Sequence, residues 1–244
     1  MDGILLIDKP KGWTSHDVVA KVRGLLRQSV SHQSLVTSDK RLKTRAPKVR
    51  VGHAGTLDPA ATGLLILVIG SYTKRAAEFL KLDKVYDCEL TLGAVSTTGD
   101  VEGKITKVGD RGKGIGFREP TRKEVDKVLK SFVGEIRQVP PAYSAIKIKG
   151  QAAYKLARAG RELKMEPRVV TIYKIENMDF QYPKLSFTTK VSSGTYIRSL
   201  ASDIGANLGT GAYLSGLRRT KIGNYSIRGS QSLTSIGVND IIRI

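Results

Sequence analysis

The 244-residue sequence sets 41 Lys and Arg against 22 Asp and Glu, a formal net charge of +19. So one-sided an excess points to a polyanionic partner whose phosphates those cations neutralise, rather than to a thermophile's surface, which mixes both signs. The lone Cys88 excludes an internal disulfide and suits a reducing cytoplasm, three scattered histidines exclude the usual structural zinc sites, and residues 64–70, the longest apolar run, are too short to span a bilayer.

Residues 4–7 are apolar and bounded by Gly3 and Lys9-Pro10, which predicts a buried strand. Thr14 or Ser15 then caps a helix whose apolar face is Val18, Val19, Val22, Leu25 and Leu26. Over 28–50 the pattern dissolves into Ser, Thr and basic residues. Lys40, Arg41, Lys43, Arg45, Lys48 and Arg50 succeed one another without an acid. This segment reads as a flexible basic loop, either simply solvated or in contact with RNA phosphates. Residues 64–69 predict a strand buried on both faces, and 73–80 a short helix. Tyr86, Cys88, Leu90 and Leu92 alternate as a half-buried strand does. Glycines from 99 to 116 mark turns and a second flexible stretch.

Thr121 and Glu124 form a capping box before Val125, Val128, Leu129 and Phe132, which share one helical face. Pro140-Pro141 cannot lie inside a helix. Residues 169–175 and 185–191 predict strands. Ile197, Leu200, Ile204 and Leu208 lie on one face of a helix that Gly209-Thr210-Gly211 closes. Strands and helices intermix without a βαβ rhythm. The expected fold class is α+β, with a mixed, largely antiparallel central sheet flanked by helices. No repeat or linker breaks the chain, so a single domain over 1–244 is expected.

Three segments carry candidate chemistry. In Gly52-His53-Ala54-Gly55-Thr56-Leu57-Asp58-Pro59-Ala60-Ala61-Thr62-Gly63, three glycines frame one carboxylate. Proline biases Asp58 to extended backbone, and the loop runs straight into an apolar strand. Asp58 is then either a catalytic carboxylate or a turn-forming aspartate. In Ser193-Gly194-Thr195-Tyr196-Ile197-Arg198-Ser199-Leu200, Arg198 falls on the first helical turn. It is either a surface arginine or the charge partner of a carboxylate. Residues 138–150, followed by Tyr154 and Arg158, interleave aromatics with basic residues. That pattern suits base stacking and phosphate pairing, or an exposed amphipathic hairpin and helix.

Taken in order, these segments resemble the bacterial tRNA pseudouridine synthase B (TruB) family. Residues 3–17 resemble its opening, 52–63 its catalytic loop, and Lys84-Val85-Tyr86 its strand with an aromatic. Residues 139–150 resemble its proline-led RNA segment, and 194–200 with Leu217-Arg218-Arg219 its arginine helix and following strand. The resemblance covers about residues 3–227 and implies the pseudouridine synthase fold. It makes Asp58 the essential aspartate, Arg198 its ion-pair partner, and Tyr86 the aromatic on the flipped uracil. His53 would help to hold the target loop open. A thumb at about 139–161 would carry Tyr143 and Lys147 to the RNA, and Tyr196, Ile197 and Leu200 would line the base pocket. Ala54 stands where the family commonly has threonine, and Thr97 where it has aspartate.

The implied reaction isomerises uridine to pseudouridine in the T-loop of tRNA, with no cofactor and no metal. The expected partner is tRNA through its T-arm. No membrane and no obligatory protein partner are expected, and the chain is read as a cytoplasmic monomer. No C-terminal PUA domain is recognised, so RNA affinity is expected from the catalytic domain and its basic loop. Two other readings are a guide-RNA-dependent synthase and an RNA-binding, tRNA-folding chaperone on the same scaffold. The motifs resemble the bacterial enzymes, and Asp58, Tyr86 and Arg198 stand together, which favours the stand-alone enzyme.

Overall fold

The computed structural model describes residues 1–35, 49–108, 118–144, 146–148, 150–161, 163 and 165–243. The chain opens with β1 (Gly3–Lys9), α1 (Ser15–Leu35), β2 (Val51–His53), β3 (Thr62–Ile69) and α2 (Ala76–Leu80). It continues through β4 (Lys84–Leu92), β5 (Ala94–Ser96), β6 (Ile105–Lys107), α3 (Arg122–Ser131) and β7 (Gly134–Gln138). Then come β8 (Lys147–Ile148), β9 (Gln151–Ala152), α4 (Ala153–Arg158), β10 (Arg168–Gln181) and β11 (Lys184–Val191). It closes with α5 (Ile197–Asn207), β12 (Ala212–Ile222) and β13 (Tyr225–Ser226). Two compact units result: Met1–Leu82 with Arg218–Ile244, and Asp83–Leu217.

In the first unit β3 is the central strand. β1 runs antiparallel to it from Gly3↔Ile69 to Lys9↔Gly63, and β2 pairs antiparallel from Val51↔Ile69 to His53↔Leu67. The end of β12 pairs with β3 in parallel at Arg218↔Thr62 and Arg219↔Gly63. The unbroken apolar run of β3 follows from burial on both faces. Leu65, Leu67 and Ile69 join Leu5 and Ile7 against Val18, Val22 and Leu26 of α1. Leu64, Ile66 and Val68 join Ile4 and Leu6 against Phe79 and Ile222. Each such side chain contributes about 1.5–3 kcal/mol when fully buried.

Helix α1 corrects one expectation. It runs on to Leu35, so the first part of the 28–50 segment is helix and not loop. The apolar stripe ends at Leu26, but no Gly or Pro follows it within the helix, and the Ser29 hydroxyl donates back to the Leu25 carbonyl at 3.2 Å. Lys40, Arg41, Lys43, Arg45 and Lys48 lie outside the described residues; Arg50 is described and exposed.

In the second unit β4 lies between β11 and the first half of β12. β11 is antiparallel to β4 from Lys184↔Thr91 to Val191↔Lys84, and β10 is antiparallel to β11. β7 adds to β10 from Arg168↔Gln138 to Ile172↔Gly134. Tyr86, Cys88, Leu90 and Leu92 are buried, as their alternation predicts. β10 outruns the expected 169–175 because a bulge between Glu176 and Asp179, with Asn177 at φ 55°, lets the strand resume to Gln181. The capping box on α3 is present, with Thr121 accepting from the Glu124 amide. α5 buries Ile197, Leu200 and Ile204 of the predicted stripe, while Leu208, its last member, is the C-cap residue and only half-buried. The described sheets are mixed and mostly antiparallel, which bears out the expected α+β class. Among the described residues no helix is long and apolar enough to cross a membrane.

Candidate active site

The Asp58 loop is held by long-range bonds within the first unit. Sequence left the cap of α1 open between Thr14 and Ser15. The structure gives it to Thr14, whose Oγ1 accepts the Asp17 amide at 3.0 Å while Asp17 accepts the Thr14 amide at 2.9 Å. Hydrogen bonds from the Thr14 hydroxyl and amide to its carboxylate hold the Asp17 carboxyl below the usual range.

Ser15 turns the other way. Its buried hydroxyl accepts the Leu57 amide at 2.9 Å and donates to the Leu57 carbonyl at 3.2 Å. On the far side of Asp58, the Pro59 carbonyl accepts from the Gly12 amide at 2.8 Å and from Lys9 Nζ at 3.4 Å. Lys9 is 0% exposed and also donates to the carbonyls of Trp13 at 2.6 Å and Pro10 at 3.0 Å. The Asp58 carbonyl itself accepts the Ala61 amide at 3.1 Å. Asp58 is half-buried, on a loop whose backbone is tied on both sides.

Arg219 ties the same loop from β12. Its guanidinium donates to the carbonyls of Gly55 at 3.0 Å, Thr56 at 3.4 Å and Leu64 at 2.7 Å. Gly63 is required beneath it: its φ is +105°, and a Cβ there would stand 2.3 Å from the Arg219 carbonyl oxygen. Next along β12, Arg218 pairs with Asp8 at 2.6 Å.

His53, at the head of this loop, meets His16 edge to face at 5.3 Å. Burial, then the neighbouring His16 and Arg219, lower its pKa, and its buried Nδ1 has no hydrogen-bond partner. Ala54 is fully buried with its amide on the Ile66 carbonyl at 2.9 Å, so the threonine common in the family would bury a hydroxyl there.

The second unit assembles the other group. Gln138 fixes the start of α5, accepting the Tyr196 amide at 2.8 Å and donating to its carbonyl at 3.1 Å. Arg198, 7% exposed, donates to the Tyr143 carbonyl at 2.8 Å and the Thr98 carbonyl at 3.2 Å. It also lies 3.6 Å from the carboxylate of Asp100, itself 5% exposed. Asp100 accepts from the Thr98 hydroxyl at 2.5 Å and the Glu102 amide at 3.0 Å, so it is oriented before it meets the arginine. Thr97, the second departure, closes the neighbouring turn by accepting the Lys104 amide at 3.0 Å.

Of the expected residues, Asp58 and His53 belong to the first unit, and Tyr86, Tyr143, Lys147, Tyr196, Ile197, Arg198 and Leu200 to the second. Arg198 and Tyr143 are brought into direct contact. Tyr86, Ile197 and Leu200 are buried, and Tyr196 is half-buried at the N-cap of α5. Lys147 lies in β8, but its side chain is outside the described residues. Sequence reasoning missed Lys9, Ser15, Asp100 and Arg219 as partners of these groups. The signal available for Lys9, Ser15 and Arg219 was their place in segments that resemble the family.

Residues 40–197 match the N-terminal domain of the TruB family of pseudouridylate synthases, and residues 198–242 match the tRNA pseudouridylate synthase B C-terminal domain. A tRNA pseudouridine synthase B of Dechloromonas aromatica is 40% identical over 240 residues, covering 98% of this chain and 71% of the relative. One from Clostridium kluyveri is 39% identical over 243 residues, 100% of this chain and 75% of the relative. Among solved structures, that of a Cbf5-Nop10-Gar1 complex aligns with a TM-score of 0.64 at 27% identity. It covers 95% of this chain, which spans about half (52%) of that one. The chain belongs to the TruB family of pseudouridylate synthases.

Proposed function

We propose that this chain isomerises uridine to pseudouridine in tRNA, with Asp58 as the catalytic carboxylate. The observation that carries the reading is family membership along nearly the whole chain, together with an Asp58 loop clamped at Leu57 and Pro59. The reaction breaks the N1–C1′ glycosidic bond, turns the uracil and joins its C5 to C1′. A stacked loop base is inaccessible, so it leaves the stack for a pocket. There a carboxylate beside the sugar stabilises cationic C1′ or attacks covalently. The motifs make Arg198 the cation that keeps Asp58 ionised and oriented, and Tyr86 the ring against the base. Tyr196, Ile197 and Leu200 are the proposed pocket wall.

The proposed target is a uridine of the T-loop. His53, Tyr143, Lys147 and the basic residues Lys40, Arg41, Lys43, Arg45, Lys48 and Arg50 are assigned to RNA. Activity by a single cytoplasmic chain, without cofactor or guide, completes the reading. Identities near 40% to proteins named tRNA pseudouridine synthase B, against 27% to a chain of the Cbf5-Nop10-Gar1 complex, favour it over guide dependence.

The test incubates the purified chain alone with an unmodified tRNA transcript and maps pseudouridine chemically. Product at one T-loop uridine is expected. No product, or product only when a guide RNA is added, overturns the reading.

A further inference from the structure

We infer that Arg219 is a positioning residue that holds the Asp58 loop in its working conformation. The inference rests on the proposed role of Asp58. One guanidinium is bonded to both ends of the loop: Gly55 and Thr56 on the entering side, Leu64 on the leaving side. Asp58 lies between them, so the span that carries it is closed by a single side chain.

Three features set Arg219 apart from an ordinary structural arginine. It is 1% exposed, among the most deeply buried large side chains of the protein. Its bonds go to backbone carbonyls, and no carboxylate bridges it among the described residues. A buried cation without an anion is a costly way to stabilise a fold, and a well-packed apolar side chain would do that better. What carbonyl bonding supplies is geometry, since a planar guanidinium presents several donors at fixed angles, which an ammonium does not.

The backbone of Arg219 is fixed as well. It pairs with Gly63 in the parallel ladder of β3 and β12, at a separation that leaves no room for a Cβ on Gly63. The side chain thus starts from a paired strand and bonds the loop at three carbonyls. Arg218, its neighbour, takes the exposed alternative and pairs with Asp8. The two adjacent arginines therefore have different tasks: one makes a partly exposed ion pair, the other anchors the loop backbone.

The test compares the parent with Arg219→Gln and Arg219→Lys. Three readouts are used: thermal melting, amide hydrogen exchange over 54–61, and single-turnover pseudouridine formation beside the Kd for a tRNA transcript. Parent activity is measured first, because an inactive parent counts against the proposed function and leaves the exchange readout standing. Arg219→Gln is expected to raise exchange over 54–61 at least tenfold while exchange in β1 changes little. It is expected to lower the single-turnover rate at least a hundredfold with Kd within threefold. Arg219→Lys should recover part of the rate. Should the glutamine variant not fold, the lysine variant carries the test, with at least a tenfold loss of rate and raised exchange expected. Parent-like exchange over 54–61 and a rate within threefold of the parent, in whichever variant folds, overturn the inference. Equal losses of rate and affinity overturn it too.

Discussion

Ser15 and Leu57, 42 residues apart, form a closed clamp: one buried hydroxyl accepts a hydrogen bond from the Leu57 amide and donates one to the Leu57 carbonyl. The residue before Asp58 is thereby satisfied at both backbone polar groups without a turn of regular structure. Ser15→Ala removes both bonds and leaves a buried amide and carbonyl without a partner. A loss of about 1–3 kcal/mol in urea melts is expected. The rate of pseudouridine formation should fall more than tRNA affinity does, because the loop is loosened and the proposed RNA contacts are untouched. An unchanged melting curve would contradict the clamp.

The close approach of β3 and β12 gives a second prediction. Gly63→Ala forces a Cβ into the Arg219 backbone and puts a side chain on a residue at φ +105°. Strain and overpacking together should destabilise the protein by about 2–4 kcal/mol. Gly12→Ala, at φ +85° with nothing within 4 Å of the added Cβ, should cost less. Thermal melts of the two variants decide the point; equal shifts would mean that contact with Arg219 is not what selects glycine at 63.

Asp100 gives a third. The carboxylate is buried beside Arg198 and pre-oriented by Thr98 and Glu102. Asp100→Asn keeps the shape and removes the charge. Stability should fall by about 1–3 kcal/mol, and the single-turnover rate by on the order of tenfold or more through misplacement of Arg198. The affinity for tRNA should change little. Parent-like turnover would show that Arg198 does not need Asp100 to hold its place.

His53 makes stability depend on pH. Burial lowers its folded pKa below the ordinary 6.5. Above that value the imidazole is neutral in the folded and the unfolded chain, and it contributes no slope. As pH falls through 6.5 the unfolded chain binds the proton first, so stability is lost down to the lowered folded value. His53→Gln should flatten that part of the stability profile, as read by urea melts between about pH 5 and 8. Profiles of equal slope for parent and variant would mean that the histidine titrates alike in both states.

Much of this architecture is local and was legible as such. The two-sided burial of β3, the alternation of β4, the capping box of α3 and the stripe of α5 each follow from neighbours in sequence. The end of α1 was not legible, because polar residues carry a helix onward wherever no Gly or Pro stops it and a side chain such as Ser29 serves its own backbone. The bulge of β10 at Asn177 was likewise hidden, since no glycine marks it. For the site, the loop around Asp58 and the helix start at Arg198 stood out by their composition. Their supports did not. Ser15 reaches Leu57 across 42 residues, Lys9 reaches Pro59 across 50 and Arg219 reaches Gly55 across 164. Such bonds leave no periodicity, and only an ordered resemblance to a family brings their residues into view.

Asp58 is the most direct test of the account. Parent and Asp58→Asn are compared for binding and for single-turnover modification of one unmodified tRNA transcript, with pseudouridine mapped chemically. Asparagine keeps the shape of the loop and removes the charge that the proposed reaction needs at C1′ or C6. The expected result is product from the parent, none detectable from the variant, and tRNA affinities within about threefold of each other, since the proposed phosphate contacts are untouched. Modification by Asp58→Asn within tenfold of the parent rate would contradict it.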